Sequence, residues 1–210
     1  MDILIVDDHI LIRRGLARIL AEDTRVGRVD EAGDGPAALR ALRNRHYHAM
    51  LLDVALGERD GLDLLKTVRA EFPALGVVML SVYPESQFAV RAIRAGAHAY
   101  LNKGCQPDEV LQALERATRG QLYITPSVAE LLAQNIRRPQ AAAPHELLSN
   151  REFQVLQLLA RGKSVSEIGE QLALSANTIS TYRARIFEKL GVRTLVDLVD
   201  YVRRHGLGAP

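Results

Sequence analysis

Ile3-Leu4-Ile5-Val6-Asp7-Asp8 is a short apolar run that stops at two carboxylates, and the pattern recurs along the first part of the chain. Val29 to Ala32 is a second run, Met50-Leu51-Leu52 a third that stops at Asp53, and Val77-Val78-Met79-Leu80 a fourth that stops at Ser81. The fifth, Ala99-Tyr100-Leu101, is followed closely by Lys103. These runs are continuous rather than alternating, as expected of strands covered by helices on both faces. Between them lie amphipathic helical patterns near residues 10–22, 35–45, 61–72, 84–95 and 107–119. Pro107 suits a first helical position and Gly120 a helix end. Regular alternation of strand and helix predicts an α/β domain over residues 1–120 with a five-stranded parallel sheet.

In an open parallel sheet, ligands bind outside the carboxyl ends of the strands. In the flavodoxin-like order 2-1-3-4-5, the ends carrying Asp7, Asp8, Asp53, Ser81 and Lys103 are neighbours and face one crevice. Three crowded carboxylates resist full ionisation unless a cation joins them. A hard divalent ion with oxygen ligands, most simply Mg²⁺, fits that donor set, and such sites commonly bind phosphate too. A hydroxyl from Ser81 and an ammonium from Lys103 would serve phosphoryl oxygens, and the Asp53 carboxylate is a competent nucleophile. Each residue alone has a plainer meaning. An Asp after a strand is usually a cap or turn former, Ser81 a turn residue, Lys103 a surface lysine and Tyr100 a half-buried strand aromatic. Their convergence on four strand ends is what points to a site.

The second part of the chain has a different period. A short helix is expected over Ser127 to Ile136, and Arg137-Arg138-Pro139-Gln140-Ala141-Ala142-Ala143-Pro144 then reads as an exposed linker. Beyond it the pattern is purely helical, near residues 150–161, 165–172, 176–190 and 195–205. Ser149-Asn150-Arg151-Glu152 and Ser164-Val165-Ser166-Glu167 fit the capping box, and Thr194-Leu195-Val196-Asp197 is a looser version. Ser175 caps the third helix, which ends at Gly191, and Gly206 closes the fourth. The expected division is therefore a domain at 1–120, a short helix and linker at 121–145, and an all-α four-helix domain at 146–210.

The net charge of +2 announces no polyanionic partner, so distribution matters more. Between Ser175 and Arg193 stand Arg183, Arg185, Lys189 and Arg193 against one acid, Glu188. On the third helix Ile179, Ile186 and Leu190, with Phe187 beside them, have the spacing of a core face. Ser180, Thr181 and Ala184 fall opposite and are small or polar, which suits a helix lying deep in a DNA major groove. Arg183, Arg185, Lys189 and the Tyr182 hydroxyl are placed to meet phosphates. A solvated basic helix face is the plain alternative. Gly169 inside the preceding helix costs about 1 kcal/mol against Ala, and a small residue there would let two helices approach at the turn.

Asp7-Asp8, Asp53, Ser81, Tyr100 and Lys103 resemble the functional residues of bacterial two-component receiver domains, a likeness that covers residues 1–120. The resemblance implies that Asp53 is the phosphoacceptor. It implies that Asp8, Asp53 and the Ala55 backbone carbonyl hold Mg²⁺, with Asp7 acting largely through water. Ser81 and Lys103 would bind the phosphoryl oxygens, and Tyr100 would swing inward on activation. Leu56-Gly57 departs from the family's usual methionine and proline. Leu148-Ser149-Asn150-Arg151-Glu152 through Lys189-Leu190-Gly191-Val192, with Leu198 and Tyr201, resembles the LuxR-type helix-turn-helix of the NarL/FixJ family. Val165, Ser180 and Tyr182 depart from its commonest residues in the manner of the subgroup that includes BvgA and GacA. By that resemblance Thr178 to Lys189 is the recognition helix, and Leu195 to Arg203 packs two copies together.

The resemblance implies a transcription factor switched by phosphorylation, with a sensor histidine kinase, double-stranded DNA and a second copy of the chain as partners. Two readings stand beside it: a receiver that never accepts phosphate, with Leu56-Gly57 as its support, and a Mg²⁺-dependent phosphohydrolase using Asp53 in turnover. Met1-Asp2-Ile3-Leu4 lacks the features of a signal peptide, and no apolar run approaches the roughly 18 residues of a membrane span. The single cysteine, Cys105, is assigned no chemistry and suits a reducing cytoplasm.

Overall fold

The computed structural model describes residues 1–56, 59–137, 143–172 and 174–207. The chain divides into two compact units, Met1–Arg138 and Pro139–Pro210. Most of the expected linker, and Gly57 of the Leu56-Gly57 departure, lie outside the described residues.

The first unit runs β1 (Asp2–Val6), α1 (Ile10–Ala21), β2 (Arg28–Ala32), α2 (Gly35–Asn44), β3 (Ala49–Asp53), β4 (Ala55–Leu56), β5 (Arg59–Asp60) and α3 (Gly61–Glu71). It continues with β6 (Gly76–Ser81), α4 (Glu85–Arg94), β7 (Ala99–Asn102), α5 (Pro107–Thr118) and α6 (Pro126–Arg137). The main sheet is parallel throughout, in the order β2-β1-β3-β6-β7. This is the expected 2-1-3-4-5 arrangement once the small β4–β5 ribbon is set aside. Register pairs Val6 with Leu52, Asp53 with Leu80 and Ser81 with Asn102, so the carboxyl ends of four strands finish level. Ile3, Leu4, Val6, Leu52 and Val78 are fully buried, which is why their runs lack alternation. Strand β2 lies at the sheet edge with Arg28 and Glu31 exposed, and its apolar signal is correspondingly thin.

Two features go beyond the sequence expectations. The antiparallel β4–β5 ribbon pairs Ala55 with Asp60 and Leu56 with Arg59, and two-residue strands leave no periodicity to detect. Helix α6 packs on α4 within the first unit, with Val128 buried between them.

The second unit opens with a 3-10 turn (Pro144–Leu147), followed by α7 (Asn150–Ala160), α8 (Val165–Leu172), α9 (Ala176–Leu190) and α10 (Leu195–Arg204). Its caps follow the sequence closely. Reciprocal capping boxes form at Ser149/Glu152 and Thr194/Asp197. Ser164 and Glu167 exchange the same pair of bonds, and Ser175 accepts from the Thr178 amide. Gly191 ends α9 at φ +66°, a conformation favoured only for glycine and a few polar residues. Leu156, Ile168, Ile179, Ile186 and Leu198 form the centre of this unit, each fully buried.

Gly169 has a sharper role than easing two helices together. A methyl group there would lie 2.7 Å from the Leu174 carbonyl oxygen, and Leu174 donates its own amide to Gly169 O at 2.8 Å. The turn backbone folds onto the site where a side chain would stand. Gly15, in α1, has nothing within 4 Å of the same position. Ala at Gly15 should therefore raise the urea-unfolding free energy by about 1 kcal/mol through helix propensity. Ala at Gly169 gains the same propensity but is expected to lower stability by about 1–3 kcal/mol through overpacking. Denaturation curves of the two variants should move in opposite directions.

Candidate functional site

Strands β1 and β3 are buried to their last residues, Val6 and Asp53, and the Asp7 side chain that follows β1 is buried with them. The side chains of Asp7 and Asp53 are each 2% exposed. The Lys103 ammonium, following β7, lies 2.6 Å from Asp7 Oδ2 and 2.8 Å from Asp53 Oδ2. One cation thus bridges two carboxylates that would otherwise repel across a medium of low polarity. Burial pushes the Asp53 carboxyl up to about 6; the Lys103 charge opposes this and the Asp7 charge adds to it. Burial works against the Lys103 charge as well, but Asp53 and Asp7 outweigh it and its ammonium is held more firmly than usual.

Asp7, Asp8, His9 and Asp53 can each offer one ligand atom, all within 4.8 Å of one another. Three of those atoms are carboxylate oxygens, a hard donor set suited to a divalent ion. His9 was not singled out from the sequence. Its Nδ1 stands 2.7 Å from Asp8 Oδ1 and 3.2 Å from Asp7 Oδ1, and its amide donates to Asp7 Oδ1 at 2.8 Å. Arg13 is a second omission: Nη1 donates to the Asp7 carbonyl at 2.7 Å and Nε to Glu31 Oε2 at 3.1 Å, fixing the end of β1 against β2. Only the position of His9 directly after Asp7-Asp8 could have suggested the first; nothing local suggests the second. Ala55 directs its amide at Asp53 Oδ1, 3.2 Å away. Gly61 closes the other side of this loop, where a methyl group would fall 2.1 Å from the Asp53 carbonyl oxygen.

Ser81 and Tyr100 lie beside the pocket and are each 1% exposed. Ser81 Oγ accepts from the Tyr83 amide at 3.0 Å, and the Tyr100 hydroxyl donates to the Tyr83 carbonyl at 3.2 Å. Lys103 donates its amide to the Ser81 carbonyl at 2.7 Å. Tyr100 was expected to turn inward on activation; here its ring is already inside. Burial pushes its phenol up, and the hydrogen bond with Ser81 pulls in the other direction.

In the second unit, α8 and α9 are joined by a tight turn. Ile179 and Ile186 are fully buried and Leu190 nearly so, while Ser180, Thr181, Arg183, Ala184 and Arg185 lie on the exposed side and Tyr182 is half-buried. Thr178 Oγ1 lies 2.7 Å from Ser175 Oγ, within the cap of α9, and Thr181 Oγ1 donates to the Asn177 carbonyl. The Arg183 guanidinium stacks over the Phe187 ring at 5.2 Å. Lys189, expected at a phosphate, is engaged within the unit in this structure. Its ammonium is 2.6 Å from Glu152 Oε2 and 3.2 Å from the Leu147 carbonyl. The Glu152 side chain is 3% exposed, and a buried carboxylate requires a counter-charge, which Lys189 supplies.

The raised pKa of Asp53 carries a stability consequence in the absence of divalent ions. A carboxyl raised from 3.8 to about 6 is penalised as the anion, so stability falls as pH climbs through that window and the loss is complete above it. Asp53→Asn is therefore expected to raise the urea-unfolding free energy at pH 7.5 in chelator by up to ~3 kcal/mol. The gain should vanish towards pH 4.

The comparisons with known proteins follow the same two-part division. Residues 3–115 match the response regulator receiver domain, and residues 146–202 match the bacterial regulatory proteins of the luxR family. The chain is 34% identical over 208 residues to the response regulator UvrY of Escherichia coli (strain K12), covering 99% of this chain and 95% of that one. It is 36% identical over 206 residues to the response regulator GacA of Pseudomonas syringae pv. syringae (strain B728a), with 98% and 96% covered. RcsB from Salmonella enterica serovar Typhimurium, solved bound to promoter rprA in the presence of the phosphomimetic BeF3-, is similar with a TM-score of 0.61 at 26% identity, over 97% of this chain and 98% of that one. The chain therefore belongs to the response regulators of the NarL/FixJ type, in which a receiver domain precedes a LuxR-type DNA-binding domain.

Proposed function

We propose that this response regulator is a transcription factor switched by phosphorylation of Asp53. The observation that carries the reading is the Lys103 ammonium bridging buried Asp7 and Asp53 at the carboxyl ends of neighbouring strands. An Asp53 carboxylate oxygen attacks phosphorus, forming an acyl phosphate as the bond to the donor breaks; the donor is a sensor histidine kinase or a small phosphodonor. Mg²⁺, held by Asp8, Asp53 and the Ala55 carbonyl with Asp7 close by, would neutralise phosphoryl charge in the pocket. The Lys103 ammonium and the Ser81 hydroxyl bind the phosphoryl oxygens, and Tyr100, through Tyr83, reads the position of Ser81. The high Asp53 pKa means that nucleophilic carboxylate is depleted below about pH 6 in metal-free protein.

The output is DNA binding by α9. Ser180, Thr181 and Ala184 face the base edges, with Thr178 at the helix start, while Tyr182, Arg183 and Arg185 meet phosphates. RcsB is described as binding DNA as dimers, and we assign this chain the same form, two α9 helices engaging half-sites about one DNA turn apart. Among the described residues no helix is long and apolar enough to cross a membrane, and on this reading the protein works in the cytoplasm beside its DNA.

Intact-mass spectrometry after incubation with Mg²⁺ and acetyl phosphate should give a single phosphoryl adduct on the wild type and none on Asp53→Asn. Absence of an adduct on both would favour a receiver whose DNA binding is controlled in another way. In binding titrations across salt concentration, Arg185→Ala should reduce the log–log slope for the dimer by about 2, the signature of one lost phosphate contact at each half-site. Lys189→Gln should leave the slope as in the wild type while lowering the stability of the second unit. An altered slope for Lys189→Gln would return that residue to the DNA interface.

A further inference from the structure

Glu85, the first residue of α4, forms a polar cluster outside the acid pocket. Its carboxylate spans two hydroxyls at the entry to α6: Thr125 Oγ1 donates to Oε1 at 2.9 Å, and Ser127 Oγ donates to Oε2. The same Thr125 Oγ1 accepts from the Val128 amide at 3.3 Å. Thr125 thus satisfies the first turn of α6 with its lone pair and holds Glu85 with its proton. Fully buried Val128 seals the apolar side of the contact.

The backbone leading into Glu85 begins at the proposed phosphoryl site. Ser81 and Glu85 are four residues apart, and the segment between them is pinned on both faces. Tyr83 donates its amide to Ser81 Oγ and accepts at its carbonyl from Tyr100. The Tyr83 ring meets Phe88 edge-on at 5.5 Å, and Phe88 is 1% exposed within α4. Pro84 restricts the remaining link to one φ value. Movement of Ser81 towards a phosphoryl group would therefore be passed to the start of α4 rather than absorbed by a slack loop.

We propose that Glu85 is a positioning residue that clasps α6 to the switch end of α4, so that phosphorylation of Asp53 resets α6. The proposal rests on the phosphoacceptor reading above and extends it to the last helix before the second unit begins. An acid in the first turn of α4 would favour that helix through its dipole in any case. That role alone would leave α6 indifferent to Glu85.

Hydrogen exchange of the full chain separates the two. Residues 126–137 would be followed in wild type, Glu85→Ala and Thr125→Val/Ser127→Ala, first in chelator and then with Mg²⁺ and beryllofluoride. In chelator, α6 amides of both variants should exchange roughly tenfold faster than wild type, the scale of one lost charge-assisted hydrogen bond. Buried Val128 should keep the helix docked. With beryllofluoride, wild-type α6 should change its protection, and both variants should show little or no change. Wild-type exchange in the variants in chelator would overturn the clasp, whatever Asp53 does. A wild-type α6 that ignores beryllofluoride bound at Asp53 would overturn the relay. Failure of beryllofluoride to bind at all would count against the phosphoacceptor reading and remove the relay with it, while the chelator comparison still decides the clasp.

Discussion

The ion contact of Lys103 with Asp7 and Asp53 is the constraint on which the first unit depends. Moving one carboxylate out of water costs several kcal/mol even after relaxation, and this pocket buries two side by side. The sheet can end in buried acids only because a single ammonium meets both, at 2.6 and 2.8 Å. The arrangement remains incompletely compensated, since Asp53 still rises to about 6. A site that is short of positive charge in its resting form is suited to taking up a cation and then a phosphoryl group. The structural cost and the proposed chemistry have the same origin.

The second unit repeats the device for a different purpose. Glu152 closes the capping box of α7 and is nearly inaccessible, so it too needs a cation, and Lys189 comes from the far end of α9 to supply it. That pair fixes α9 against α7 and the 3-10 turn before it. The exposed side of α9 then carries Ser180, Thr181, Ala184 and Arg185, free of the work of holding the helix in place. Rigid support behind and small polar groups in front is what close entry into a groove requires.

From the pocket to α6, hydrogen bonds and a ring contact form a continuous series within the first unit. Tyr100 is buried and bonded to the Tyr83 carbonyl, so its ring is part of the packed interior beside Ser81. Packed interiors pass small shifts on because they hold few voids to absorb them. Tyr83, Phe88, Glu85 and Thr125 lie along one such path within the first unit.

The sequence by itself determined the strand and helix order, the parallel sheet, the caps of the second unit and the gathering of Asp7, Asp8, Asp53, Ser81 and Lys103 at strand ends. Continuous apolar runs, capping boxes and glycine stops are local signals, legible within about a dozen residues. The β4–β5 ribbon was too short to leave one, and the edge strand β2 left a faint one. Tertiary structure alone decided that Lys103 bridges two particular carboxylates, that Arg13 and His9 brace Asp7, and that Lys189 reaches Glu152. It also decided that α6 belongs against α4. Thr125 meets Glu85 across 40 residues and Lys189 meets Glu152 across 37. A charged side chain on an exposed helix pattern has the same sequence signature whether it faces solvent, DNA or a buried acid. Burial of its partner, which only the folded chain creates, is what chooses among them.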